Sequence, residues 1–107
     1  MNKYSDKSNF EINKAVAGIL KLNTITCDRT KIVLFDDAQA TPFDPCSNPS
    51  DAWPIILKNE ISINFRGPVD SGAVAGEFGW TEAYAIHKNP LRAAMEVFLM
   101  INSTDDK

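Results

Sequence analysis

A chain of 107 residues, 44% of them hydrophobic, matches the size and composition of one small domain, able to bury roughly 60 to 70% of its unfolded surface without disulfides or metal. Its formal charge of −3, from fourteen acids and eleven bases with no basic block, argues against binding duplex nucleic acid through phosphate neutralisation. No leader pattern opens the chain and no apolar run approaches the thickness of a bilayer, so a cytosolic protein with no membrane partner is expected.

Ser8 to Glu11 reads Ser-x-x-Glu, a capping box in which hydroxyl and carboxylate each satisfy a backbone donor at a helix start. Ile12, Ala15, Val16, Ile19 and Leu20 then recur at three- and four-residue steps as the core stripe, while Asn13, Lys14 and Lys21 fall on other faces. Gly18 reflects either a close neighbour or simple tolerance. Residues 24–27 and 31–35 are rich in β-branched side chains and are joined by Asp28, Arg29 and Thr30, which predicts a hairpin. With Pro42, Pro45, Pro49 and three aspartates, residues 36–49 are expected to form a loop.

Asn48 and Pro49 carry the chemistry of an N-cap and first helical residue, with Asp51 near the positive end, and predict a second helix to about Asn59. Pro54 inside it demands a bend or a start nearer Ser50. Residues 61–66 alternate apolar and polar, as in a strand buried on one face. Residues 67–79 hold four glycines and a proline, and 80–86 return to aromatic and small apolar residues, so a second hairpin with a long, mobile connection is expected. Asn89 and Pro90 repeat the helix-start chemistry. Leu91, Ala94, Met95, Phe98 and Leu99 trace the apolar face of a third helix, widened by Val97 and Ile101, before a polar tail at 102–107 expected to fray.

The expected fold is thus α+β in the order α-β-β-α-β-β-α, with about four strands in one antiparallel sheet, helices packed on it, and an ordered core over residues 8–102 of a single domain. The string Asn-Pro-x-x-Ala occurs at Asn48 and again at Asn89, 41 residues on; shared capping chemistry accounts for it as well as an internal repeat does.

Three stretches carry a resemblance: residues 4–14 (YSDKSNFEINK), 48–56 (NPSDAWPII) and 89–100 (NPLRAAMEVFLM). With these strings the chain resembles the NinX-like family of small tailed-phage and prophage proteins over nearly its full length. The resemblance implies a phage gene expressed in a bacterial cytoplasm and carries no catalytic residue onto this chain. Small phage accessory genes often encode proteins that disarm host defences, so it also implies a counter-defence role. The loops at 36–46 and 67–79 lie outside the resemblance.

No phosphate-binding Gly-rich loop, nucleophile elbow or paired-histidine metal motif is present. His87 is the single histidine; with Cys27 or Cys46 it would be the one thiol–imidazole couple available, for which chance co-occurrence is the competing account, and a zinc set that adds Asp44 lacks the short Cys-x-x-Cys spacing. No cofactor or metal is expected, and the two cysteines read as free thiols. The start of the third helix is the place where backbone donors, helix dipole and cations converge, so His87, Lys88, Asn89 and Arg92 form a candidate site for an anion or nucleotide phosphate; the alternative is a solvated face. Trp80, beside the glycine-rich loop, joins this site as a stacking surface, with Tyr84 on the same strand face. Trp53, at helical spacing with Ile56 and Leu57, is expected in the core. Asp36, Asp37 and Asp44 are candidates for contacting a basic partner protein, or are solvated loop charge.

The sequence therefore predicts a non-enzymatic accessory protein that binds a host defence or regulatory component, either a bacterial protein or a small nucleotide signal held by sequestration. A small hydrolase or transferase acting on nucleotides is the rival from another class. A third reading is an oligomeric assembly protein joined through the wide apolar face of the third helix.

Overall fold

The computed structural model describes residues 4–66, 70–75 and 84–102. In chain order the elements are α1 (Asn9–Leu20), β1 (Thr24–Cys27), β2 (Ile32–Phe35), α2 (Pro49–Lys58), β3 (Ile61–Arg66), β4 (Asp70–Ala75), β5 (Tyr84–His87) and α3 (Pro90–Ile101). The α+β class and the three helices agree with the sequence; the sheet does not. Among the described residues five strands are divided between an antiparallel pair, β1–β2, and an antiparallel three-stranded sheet ordered β3-β4-β5.

The extra strand is β4, which occupies part of the stretch expected as a mobile connection. It pairs with β3 from Ile61 opposite Ala75 to Arg66 opposite Asp70, and with β5 from Ser71 opposite His87 to Val74 opposite Tyr84. Gly72, Ala73 and Ala75 are poor strand formers in isolation. Here they lie in the central strand of the sheet against which α3 packs. The remainder of that connection, 67–69 and 76–79, and the expected strand start at 80–83 lie outside the described residues, as does the tail at 103–107.

Local chemistry sets the helix starts. Ser8 Oγ accepts from the Glu11 amide (3.1 Å) and Glu11 Oε1 accepts from the Ser8 amide (3.3 Å), completing the capping box. Lys21, in the left-handed region at φ 59°, ends α1, with the Leu22 amide donating to the Ala17 carbonyl (3.0 Å). Gly18 faces open space, so tolerance and not a close neighbour explains it. Asn48 Oδ1 accepts from the Ser50 amide (3.0 Å) to start α2, which runs through Pro54. Both Pro54 and Ser50, the residue four before it, are exposed, so solvent replaces the lost backbone bond.

α3 is the centre of the core. It touches all three strands of the larger sheet as well as α1 and α2, and is buried on every face from Arg92 to Leu99. Its apolar face is thus taken up by one core as far as Leu99, and of the surplus expected for an oligomer interface Ile101 is the exposed remainder. Ile12, Val16 and Ala17 of α1 pack into the same cluster with Ala52, Ile55 and Ile56 of α2. The β1–β2 hairpin joins through Val33 and Phe35, the latter edge-on to Phe43 at 5.6 Å between ring centroids.

Phe98 is almost fully buried in this cluster. Phe98→Ala is expected to cost about 3 to 5 kcal/mol, read as a large fall in the denaturant midpoint; a midpoint close to wild type would contradict the packing described.

Candidate functional site

The start of α3 assembles differently from a phosphate site. Asn89 caps the helix: its Oδ1 accepts from the amides of Leu91 (2.9 Å) and Arg92 (3.4 Å), while its Nδ2 donates to the Cys46 carbonyl (2.6 Å). The Asn89 amide donates to His87 Nδ1 (2.9 Å). The helix-end donors and the His87 acceptor are therefore bonded within the protein, and among these residues Lys88 alone is fully exposed.

Arg92 points inward and is 3% exposed. Nε donates to Glu96 Oε2 (2.6 Å), one turn on along α3. Nη1 donates to Asn9 Oδ1 (2.7 Å), and Nη2 to the carbonyls of Tyr4 (3.0 Å) and Lys7 (2.7 Å). Four hydrogen bonds occupy the guanidinium, which ties the segment before α1 to α3 and leaves no fork for a phosphate. Trp80 lies outside the described residues.

The three aspartates do not form one outward patch. Asp37 Oδ1 accepts from the amides of Gln39 (3.0 Å) and Ala40 (2.9 Å), shaping its own turn. Asp44 Oδ1 accepts from Asn13 Nδ2 (2.8 Å), and the Asp44 amide donates to Asp51 Oδ2 (2.9 Å). Asp36 is exposed beside Asp37. Asn13, expected on an outer face of α1, is buried because its Oδ1 also accepts from the Cys46 amide (3.2 Å). Asn13, Asn89 and Asp51 together hold the Asp44–Cys46 turn between all three helices.

The surface the structure opens instead is an apolar groove of about 420 Å³ lined by Trp53, Ile56, Leu57, Glu60, Ile61 and Ile63. Ala52, Ile55 and Ile56 define the buried arc of α2, and Trp53 and Leu57 fall on the flank beyond Ile56, 56% and 58% exposed. Glu60, in the left-handed region at φ 54°, turns the chain sharply from α2 into β3, which sets Ile61 and Ile63 across from that flank. Trp53 is thus a surface residue and not the core residue expected. Its spacing with Ile56 and Leu57 misled because the apolar stripe of α2 is wider than the arc the core covers.

Cys46 is buried under the network, and burial pushes its thiol up to about 12. Cys27, in the hairpin, is held below its ordinary value by hydrogen bonds from the Thr30 side chain and backbone. Among the described residues no group of three or more His, Cys, Asp or Glu side chains is placed to hold a metal, and no helix is long and apolar enough to cross a membrane.

These features define a small α+β protein whose helices are pinned by buried polar groups and whose open surface is apolar. The chain belongs to the phage protein family described as Bacteriophage P22, NinX, whose family model matches residues 3–102. No curated protein and no solved structure matches it.

Two measurements check this arrangement. Arg92→Ala leaves Glu96 buried without its cation and is expected to cost about 3 to 5 kcal/mol, whereas Arg92→Met with Glu96→Leu recovers much of the loss; equal losses in denaturant melts would contradict the clamp. The Cys46 thiol stays protonated in the fold above its ordinary value of 9.0, where an unfolded thiol ionises. Its contribution to stability is therefore full below about pH 9 and is lost as pH rises from there towards 12. Native-state thiol labelling should mark Cys27 rapidly and Cys46 only on unfolding, and Cys46→Ala should flatten that alkaline slope.

Proposed function

We propose that this protein is a non-enzymatic phage accessory protein that acts by binding a host protein, with the Trp53 groove receiving an apolar segment of that partner. The exposed indole of Trp53 carries the reading. A tryptophan left largely in solvent beside Leu57 and above Ile61 and Ile63 is an anchor of the kind that dominates protein interfaces, where a few aromatic residues supply most of the binding energy. Lys58 and Glu60 are exposed near its edge, an apolar centre with a charged rim. Because the chain belongs to a phage protein family, the target we propose is a host defence or regulatory component met in the bacterial cytoplasm.

A protein partner is favoured over a nucleotide because the cationic fork that a phosphate would use is consumed by Glu96, Asn9 and two backbone carbonyls. Host protein captured by the immobilised wild type is expected to be lost with Trp53→Ala and Leu57→Lys, each weakening the complex by about 2 kcal/mol or more. Both variants should melt within about 0.5 kcal/mol of wild type, since the side chains are exposed. Capture indifferent to both substitutions, or calorimetric binding of a mono-, di- or cyclic nucleotide without any captured protein, would overturn the reading.

A further inference from the structure

The β1–β2 hairpin has one covered edge and one open edge. Beyond β2, the Phe35 amide donates to the Thr41 carbonyl (2.9 Å) and the Phe43 amide to the Val33 carbonyl (2.8 Å), with Leu34 bridged to Pro42. Val33 and Phe35 therefore direct their peptide groups away from β1. Their cross-strand partners are Thr26 and Thr24. In an antiparallel ladder the two members of such a pair both turn outward, so Thr24 and Thr26 present N–H and C=O groups along the far edge of β1. Among the described residues no backbone hydrogen bond from outside the hairpin reaches either of them.

Native proteins blunt an open edge with lysine, proline, an inward charge or a bulge. β1 reads Thr-Ile-Thr-Cys and carries none of these. On its outer face Ile25 is 49% exposed and Ile32, on the neighbouring strand, 40%. Two-stranded ribbons are marginal alone, and this one is separate from the larger sheet.

From the symmetry of this edge we infer that β1 pairs with β1 of a second copy of the chain, antiparallel about a two-fold axis at Ile25. The outward groups of Thr24 and Thr26 lie one residue either side of Ile25, so Thr24 of one copy faces Thr26 of the other and each pair exchanges both backbone hydrogen bonds. Ile25, whose own peptide groups turn inward to Leu34, meets its symmetry mate as a close non-hydrogen-bonded pair. The result is a four-stranded sheet, β2-β1-β1-β2, with Ile25 and Ile32 of both copies on one face. The same surface patch serves both copies, as a two-fold interface requires. A strand from another protein would satisfy the edge groups equally, but the placement of Ile25 midway between two outward threonines makes this edge complementary to itself.

The contact is separate from the Trp53 groove, so the two ideas fail independently. Sedimentation of the full chain from micromolar to submillimolar concentration is expected to show a monomer–dimer equilibrium. Ile25→Lys places two ammonium groups together at the axis, and Thr26→Pro removes an outward donor that the monomer does not use; each should weaken the dimer at least tenfold, while Trp53→Ala leaves it unchanged. Melting at low concentration confirms that each variant folds, and Ile25→Lys, at a half-exposed position, decides the matter if the proline variant does not. Amide exchange at Thr24 and Thr26 should slow as concentration rises. A wild type that remains monomeric throughout, or a dimer indifferent to Ile25→Lys, or one abolished by Trp53→Ala, would overturn the inference.

Discussion

Arg92 is the interaction on which the rest of the structure depends. A guanidinium taken out of water is stable only when its nitrogens find acceptors, and here a carboxylate, an amide oxygen and two carbonyls surround it so that all three nitrogens donate. Three of those acceptors belong to Tyr4, Lys7 and Asn9, so the arginine holds the approach to α1 against the first turns of α3. Pinning the start of α1 places Asn13 where it can grip Asp44 and Cys46, and Asp44 in turn binds the carboxylate of Asp51 through its amide. The Cys46 carbonyl closes the circuit onto Asn89. A network in which each polar group has one good partner penalises any other packing of the three helices, because a shifted helix strands a buried donor or acceptor.

That circuit also decides where binding is possible. The same features that make the start of α3 look like an anion site, a capped helix end with cations near it, serve here to join helices. Binding a phosphate at Arg92 would mean extracting the guanidinium from Glu96 and leaving that carboxylate buried without its arginine. Among the described residues, the two surfaces proposed for partners, the flank of α2 and the outer edge of β1, lie clear of the network. Both are apolar or neutral in a chain of net charge −3. A partner bound at either would therefore gain affinity from desolvation and backbone pairing, with charge influencing mainly the rate of encounter.

What was legible in the sequence was local. Ser8 with Glu11, Asn48 with Pro49 and Asn89 with Pro90 mark helix starts because capping is settled within four residues. The role of Arg92 was not legible, since its acceptors lie 83 to 88 residues upstream and only the spacing to Glu96 hinted at a pair. Asn13 falls at helical spacing with Val16 and Ala17, but the apolar stripe from Ile12 to Leu20 sets it on another face; its partners on the loop 44–46 are visible only in the fold. The strand β4 was hidden for a related reason. Gly72, Ala73 and Ala75 suit a loop by propensity, and their place between two strands under α3 is a tertiary fact.

Trp53 shows the limit of stripe arguments in the opposite direction. Periodicity identifies which residues share a side of α2, but the width of the buried arc depends on what lies opposite. α2 is ten residues long and meets α3 and the start of β3, enough to cover Ala52, Ile55 and Ile56 and no more. Folding gains little from an indole that stays mostly in solvent, and a smaller or polar side chain at 53 would serve the helix as well. Leu57 repeats the situation one turn on, and Ile61 and Ile63, across the turn at Glu60, form the floor of the groove from the core side. Scattered apolar residues need no explanation on a protein surface, whereas Trp53 and Leu57, exposed side by side above the core residues Ile61 and Ile63, amount to apolar surface the fold has not used. A partner that covers the groove would bury what the core of this small protein leaves out, and the rigid backbone of α2 would present Trp53 to it at little further entropic cost.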